Sequence, residues 1–289
     1  MKVIILGATG FLGNDLVKNM ALLDWEMVCV IRRQSNIDKL QSIDGKIRYQ
    51  YIDDLNAETL KEEQFDAAYN LSCKYLGSST TIEVIESNYV VGARFLSTCV
   101  EAGVPKFISI GTGLPDDFNL YCLTKKQLNE LGKYYASEQT RLGKTFHFCN
   151  VELERFYGEG EPVNRFIPDT ILKMLRGEDV LFTEGNQKRD FIYIQDVIYV
   201  LLKLPELDLP EYLDMPVGSG QGPSIREVME YLHNITESKS ELKFGAIEKR
   251  FHEPDSVADL TVLKSYGLSI KYSWEDGMKK VVEYYKTSF

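Results

Sequence analysis

The 289-residue sequence predicts an α/β fold, a doubly wound parallel sheet flanked by helices with a smaller C-terminal lobe. Three observations predict it. Short β-branched runs alternate with helix-length segments through the first half of the chain. A glycine-rich turn, Gly7-Ala8-Thr9-Gly10-Phe11-Leu12-Gly13, directly follows the first run and opens a helical segment. After Cys149 the alternation gives way to Gly158, Gly160 and Pro162 close together and a second Gly/Pro-rich stretch over 216–223, which marks the lobe.

Strands are expected at residues 3–6, 27–31, 47–51, 67–71, 106–110 and 145–149. Between the fourth and fifth, residues 82–101 carry Val84, Ile85, Tyr89, Val91, Phe95, Leu96 and Val100 at helical spacing, and Gly103-Val104-Pro105 ends the run. Residues 121–142 have the same character and stop at Gly143. In the lobe a helix is expected near 168–176, and a strand over 191–194 followed by a helix over 196–204 forms one more pair that could join the first sheet. The division is therefore a first domain over 1–150, rejoined by 185–205, and a lobe over 151–289.

With 44% hydrophobic and 26% charged residues the chain can bury a sizeable core, as one large domain or two lobes. Its 43 acidic and 33 basic residues give a net charge of -10, which repels phosphate backbones, so no nucleic-acid partner is expected. No stretch approaches the ~18 apolar residues of a membrane span. The N-terminal apolar run stops at Gly7, too short for a signal peptide, so the expected address is cytoplasmic, without a membrane partner. Cys29, Cys73, Cys99, Cys122 and Cys149 lie far apart and read as reduced, mostly core residues. They and His147, His233 and His252 show no metal-ligand spacing, and no metal site is expected.

Glycines between a strand and a helix allow a tight turn, let the backbone approach a pyrophosphate, and offer helix amides and a dipole to an anion. The position of Gly7, Thr9, Gly10, Phe11, Leu12 and Gly13 at the first junction of an alternating pattern points to a dinucleotide and a Rossmann-like sheet; the alternative is a purely structural turn. Arg32 and Arg33 follow the second strand where an acidic residue would hold the ribose of NAD. A guanidinium there suits a 2′-phosphate, making NADPH (NADP) the expected cofactor and NAD less so, against the plainer reading of two solvated arginines. Asp54 and Leu55, after the third strand, are expected beside the adenine, and Leu71, closing the fourth, completes the cofactor set.

Tyr121 and Lys125, four apart, put a phenol and an ammonium on neighbouring turns of one helix. Among 17 tyrosines chance supplies about one such pair, and Tyr199 with Lys203 is a second. Setting separates them, because Tyr121 begins the helix after the fifth strand whereas Tyr199 lies inside an apolar one and is expected in the core. A nearby ammonium would favour the phenolate and bring Tyr121 toward the working pH for proton exchange with a carbonyl or alcohol oxygen. Thr112, in Ser109-Ile110-Gly111-Thr112-Gly113, could bond the same oxygen or serve only as a turn residue.

These residues resemble the extended short-chain dehydrogenase/reductases that act on nucleotide sugars, the NAD-dependent epimerase/dehydratase family. The likeness covers nearly the whole chain: the glycine loop, Asn88 and Gly92, Thr112, Tyr121 and Lys125, the run Arg189-Asp190-Phe191-Ile192-Tyr193, and Trp274-Glu275-Asp276-Gly277. Arg165-Phe166-Ile167-Pro168, residues 187–191 and Phe244-Gly245-Ala246-Ile247-Glu248 look most like the CDP-abequose and CDP-paratose synthases, which reduce a 4-keto-6-deoxy sugar. The resemblance implies Thr112, Tyr121 and Lys125 as the catalytic trio, and Arg165, Arg189 and Arg250 as substrate-binding residues, the last two on the diphosphate of a nucleotide-linked sugar. It also implies a homodimer through the helices near 82–102 and 121–142. Two departures stand out. Glu152 and Arg155 precede Tyr157-Gly158 where the family commonly has an Arg and an Asn, and Gly113-Leu114 replace the Asp-Glu pair of a dehydratase. The expected function is thus NADPH-dependent reduction of an NDP-4-keto-6-deoxyhexose for surface polysaccharide (lipopolysaccharide) synthesis. The alternatives are a nucleotide-sugar 4-epimerase retaining NAD and a non-catalytic NADP-binding redox sensor.

Overall fold

The structure, a computed structural model, describes residues 1–75, 77, 79–248 and 254–288. In chain order it runs β1 (Lys2–Leu6), α1 (Phe11–Leu22), β2 (Glu26–Ile31), α2 (Asp38–Gln41), β3 (Lys46–Tyr51), α3 (Ala57–Glu63), β4 (Ala67–Asn70), α4 (Thr81–Ile85), α5 (Val91–Glu101), β5 (Lys106–Ile110), α6 (Leu120–Arg141) and β6 (His147–Leu153). There follow β7 (Arg155–Tyr157), α7 (Phe166–Arg176), β8 (Val180–Phe182), β9 (Phe191–Tyr193), α8 (Ile194–Lys203), β10 (Tyr212–Val217), α9 (Ile225–Thr236), β11 (Leu242–Phe244), α10 (Thr261–Ser265) and α11 (Trp274–Ser288). Two compact units result, Met1–Glu152 with Ile198–Met215, and Leu153–Val197 with Pro216–Phe289.

The first unit is a Rossmann-like α/β layer on a seven-stranded sheet in the order β10-β6-β5-β4-β1-β2-β3. The pairs β1 with β2 and β4, β2 with β3, β4 with β5, and β5 with β6 are parallel. β10 also runs parallel to β6, because the Phe148 and Glu154 amides donate to the Glu211 and Val217 carbonyls in step. Leu6, Asn70 and Ile110 therefore end their strands on one edge. The chain order reverses between β1 and β4, the switch point beside which open α/β sheets bind ligands.

The core between sheet and helices is aromatic along one row. Phe95 of α5, Phe107 of β5, Phe148 of β6 and Tyr212 of β10 lie at successive ring-centroid separations of 5.5, 5.7 and 6.3 Å. Gly132 makes room for that row, since a Cβ there would fall 2.2 Å from the Phe148 ring and push α6 off the sheet. α6 starts where the Asn119 side chain accepts from the Cys122 amide, and α4 starts in a capping box of Thr80 and Glu83.

In the second unit β8 pairs with β11 and β7 with β9, both parallel. Asp190, fully buried, accepts from the Ser219 amide and hydroxyl (2.7 and 2.6 Å), the Gly220 amide (2.9 Å) and the Ala258 amide (3.1 Å). One carboxylate thus fastens two loops that have no ladder of their own.

Three expectations change. The strand expected over 191–194 does not join the large sheet: β9 pairs with β7, and β10 is the strand that returns, so the rejoining segment is 198–215 and not 185–205. A three-residue run carries too little pattern to fix its partner. The sixth strand lies at 147–153, later than 145–149. The helix expected over 82–101 is interrupted by a π-helical turn at Glu86–Val90. Of the cysteines, Cys29, Cys99, Cys122 and Cys149 are buried and Cys73 is exposed. Among the described residues no helix is long and apolar enough to cross a membrane.

Candidate active site at the switch point of the first unit

Gly7 and Gly13 are demanded by the fold. Gly7 has φ +92°, and a Cβ on it would stand 2.7 Å from the Leu71 carbonyl carbon; a Cβ on Gly13 would stand 2.2 Å from the Gly7 oxygen. Gly10 differs, because its backbone is extended and a Cβ would meet only the Gly7 oxygen, at 3.3 Å. The protein gives Gly10 little reason to be glycine, and a close-approaching ligand does. Gly10 caps α1 without any side-chain hydrogen bond, so the first-turn amides keep their donors for an anion. Thr9 and Gly10 are exposed, Phe11 is half-buried, and Leu12 packs inward. This cradle fits a dinucleotide pyrophosphate.

The two arginines after β2 are differently engaged. Arg33 donates through Nη2 to both Asp54 oxygens at 3.0 Å and lays its guanidinium over the Tyr51 ring at 4.6 Å. Arg32 bonds the Ser87 hydroxyl through Nη2 at 3.2 Å, while its amide bonds Ser35 Oγ. Asp54, expected beside adenine, is thus the partner of Arg33. Leu55, expected with it, is buried in the hydrophobic core, and Leu71 contributes its main chain to the Gly7 contact.

Beyond β4 lies a network in which Asn70 and Ser72, not singled out from the sequence, join Asn88, named there only for the family likeness. Buried Asn70 accepts from the Ser72 amide (3.2 Å) and hydroxyl (2.7 Å). Asn88, also fully buried, takes the Lys74 amide at 2.7 Å and gives to the Lys74 carbonyl at 2.8 Å, clamping the loop that carries Ser72, Cys73 and Tyr75. An Asn inside an otherwise apolar helical stretch was the available signal.

Lys125, 2% exposed, is held by this loop and by β5: Nζ donates to the Ser72 carbonyl at 2.7 Å and the Ile110 carbonyl at 2.8 Å. Burial lowers its pKa from the ordinary lysine value, offset in part by Cys73. Tyr121, on the first turn of α6, lies against Tyr75 with ring centroids 4.6 Å apart and shares a hydrogen bond with it. Burial first, then Tyr75 and Cys73, push its phenol well above the ordinary tyrosine value. The expectation that Lys125 would draw Tyr121 down is therefore not met: the ammonium serves two carbonyls, and the phenol stays protonated. Thr112, 3% exposed, accepts from the Leu114 amide at 3.2 Å and is hydrogen-bonded to the Cys122 thiol. Glu152 accepts from Lys126 at 2.8 Å. Tyr199 is 38% exposed, contrary to its expected place in the core, and Lys203 pairs with Glu206 at 2.7 Å.

In the second unit the expected substrate residues diverge. Arg165 is exposed at the start of α7. Arg189 is 8% exposed, and its Nη1 donates to the Lys188 carbonyl at 2.7 Å and to the Pro254 carbonyl. Arg250 lies outside the described residues, as does His252. Glu161 has an enclosed Oε2 without a hydrogen-bond partner. Burial raises its carboxyl from 4.5 to about 7, against the pull of Arg155 and Arg165.

Residues 3–209 match the model of the NAD dependent epimerase/dehydratase family. The chain is 30% identical over 301 residues to a CDP-abequose synthase of Salmonella typhimurium and 29% identical over 295 residues to one of Salmonella muenchen, with 97% of both chains covered in each case. A UDP-N-acetyl-alpha-D-glucosaminuronate decarboxylase of Bacillus cytotoxicus is 26% identical over 99% of this chain and 98% of its own. Among solved structures, UDP-glucose 4-epimerase of Thermotoga maritima superposes with a TM-score of 0.85 at 20% identity, covering 100% of this chain and 99% of that one. The UDP-glucuronic acid 4-epimerase of Bacillus cereus, in complex with UDP-glucuronic acid and NAD, gives 0.84 at 21% identity with both chains fully covered. The chain belongs to the NAD dependent epimerase/dehydratase family.

Proposed function

We propose that this member of the NAD dependent epimerase/dehydratase family is an NADPH-dependent reductase of a nucleotide-linked 4-keto-6-deoxyhexose, its product destined for surface polysaccharide. The match to two CDP-abequose synthases along nearly their whole length carries the reading. Tyr121, whose phenol burial and then Tyr75 raise above the ordinary tyrosine value, suits a proton donor to a ketone oxygen.

The glycine cradle, Arg32 and Lys125 would hold the dinucleotide, which supplies the hydride when bound. Tyr121 gives its proton to the oxygen of the C4 carbonyl as that oxygen gains charge. Thr112 Oγ1, buried beside the start of α6, orients the same oxygen. Lys125, fixed between Ser72 and Ile110, holds the loop after β4 against β5 and presents its positive charge to the nicotinamide ribose. Of the three arginines expected on the substrate, exposed Arg165 keeps a direct role in this reading. Arg189, through its bonds to the Lys188 and Pro254 carbonyls, orders the chain around residues 188 and 254 in this reading. Exposed Leu123 and Tyr134 on α6, with Leu142 just past its end, support a homodimer through that helix, to be checked by light scattering.

The test is incubation with NADPH and a panel of CDP-, dTDP-, GDP- and UDP-linked 4-keto-6-deoxy sugars, following NADPH absorbance and product stereochemistry by NMR. Stoichiometric consumption of NADPH with formation of a 6-deoxyhexose is the expected result. Copurifying NAD and interconversion of C4 epimers without added cofactor would establish the epimerase in its place.

A further inference from the structure

The π-helical turn at Glu86–Val90 carries an observation that the glycine cradle and the catalytic trio leave unused. A π turn widens the helix by one residue, and such turns interrupt α-helices mostly where side chains must be re-aimed. Here neighbouring side chains both go inward: Ser87 is 4% exposed and Asn88 fully buried. Asn88 clamps Lys74, whereas the Ser87 hydroxyl is the acceptor for Arg32 Nη2 at 3.2 Å. The Ser87 carbonyl in turn accepts from Ser72 Oγ at 3.3 Å, so the turn is tied to the loop that holds Lys125.

Arg32 and Arg33 are neighbours in sequence and opposites in employment. Asp54 takes Nη2 of Arg33 with both its oxygens, and Tyr51 lies on the guanidinium face. Among the described residues the Arg32 guanidinium meets one neutral hydroxyl and no carboxylate. It keeps its full charge and most of its N–H groups. A guanidinium on a flexible stem loses rotamer freedom when fixed, so a contact that fixes it beforehand favours whatever anion it then binds. A hydroxyl can do this without neutralising the charge, as a carboxylate would.

We propose that Ser87 is a positioning residue for cofactor choice: its hydroxyl holds one edge of the Arg32 fork so that the remaining N–H groups are set for the 2′-phosphate of NADP. The inference rests on the reading of Arg32 as the phosphate ligand. It adds a second determinant, on a helix more than fifty residues away in sequence, to the residue after β2.

Binding, measured by isothermal titration calorimetry with NADP+ and NAD+ separately, tests it on the full chain. Ser87→Ala should weaken NADP+ about tenfold, the order expected for loss of a bond to a charged group, and leave NAD+ within about twofold. Ser87→Thr, which keeps the hydroxyl, should restore NADP+ affinity, and Ser87→Ala should have no further effect on NADP+ in an Arg32→Ala background. Alanine is the better helix former, and Ser87→Gly supplies a second hydroxyl-free variant should alanine disturb the turn. Equal weakening of both cofactors would make Ser87 a fold residue and overturn the proposal, as would an unchanged NADP+ affinity. A wild-type protein that prefers NAD+ would remove the Arg32 reading and this inference together. One that prefers NADP+, with a preference unchanged in both hydroxyl-free variants, would remove Ser87 alone.

Discussion

Lys125 and Arg189 are both buried cations, one in each unit, and both donate to main-chain carbonyls: Lys125 to Ser72 and Ile110, Arg189 to Lys188 and Pro254. Lys125 stands at the C-terminal edge of a parallel sheet, shares Cys73 as an electrostatic neighbour with Tyr121, and is itself pushed toward neutrality by burial. Arg189 stays charged in any environment and stitches the chain around residues 188 and 254. The difference teaches that one arrangement, a buried cation bonded to carbonyls, can hold a loop in either unit, and that what sets Lys125 apart is Tyr121 one turn away, the proton donor of the proposed reaction.

The sharpest way to break this comparison is at the reactive side. Tyr121→Phe removes the proton donor and little surface, so turnover should fall by roughly 10²–10⁴ while NADP+ affinity stays within about twofold. A variant that keeps more than about a tenth of the activity would separate the phenol from the chemistry.

Glu161 extends the contrast to acids, because the second unit holds one that burial pushes upward against the pull of Arg155 and Arg165. Its carboxyl rises from 4.5 to about 7, so between those values the folded protein holds a proton that the unfolded chain has released. Its contribution to stability is then complete below about pH 4.5, declines as pH rises, and is gone above about 7. Glu161→Gln should therefore flatten the pH dependence of stability and add up to about 3 kcal/mol above neutrality. Denaturant unfolding across pH 5–8.5 measures it, and parallel curves for the two proteins would refute the buried-carboxyl reading.

Arg189→Met should lower the melting temperature, because hydrogen bonds from a charged donor are worth ~1.5–3 kcal/mol. In a protein of this size that is on the order of 5 °C by calorimetry. If the melting temperature holds and the substrate KM rises instead, Arg189 is a ligand clamp and the two cations are alike after all.

The smallest effect belongs to Arg33→Ala. Its pair with Asp54 is exposed, with side chains 59% and 50% accessible, and such pairs contribute ~0–1 kcal/mol. Cofactor preference, measured as the ratio of NADP+ to NAD+ dissociation constants, should change by less than about threefold. A loss as large as that from Arg32→Ala would put both arginines on the phosphate.

Much of the first unit was legible because its signals are local. The run 7–13 needs only its glycines and the strand before it, and Tyr121 with Lys125 needs only helical spacing and a cap. Thr112 and the arginines after β2 are likewise placed by the strand ends they follow. What the sequence hid depends on partners distant along the chain: Ser87 beneath Arg32, Asn88 on Lys74, Asp54 taken by Arg33, Leu55 drawn into the core, and β9 paired with β7 in place of the large sheet.

The sequence by itself determined the sheet's alternation, the glycine cradle and the identity of the residues at the reactive edge, because each follows from residue spacing within one turn or one strand. Tertiary structure alone decided environment and employment: that burial and Tyr75 raise the Tyr121 phenol, that Lys125 faces two carbonyls, that Ser87 meets Arg32 while Asp54 meets Arg33, and that Arg189 donates to the Lys188 and Pro254 carbonyls. Those properties arise from desolvation and from hydrogen bonds between residues up to about sixty-five positions apart, and neither quantity exists until the chain has closed around the group.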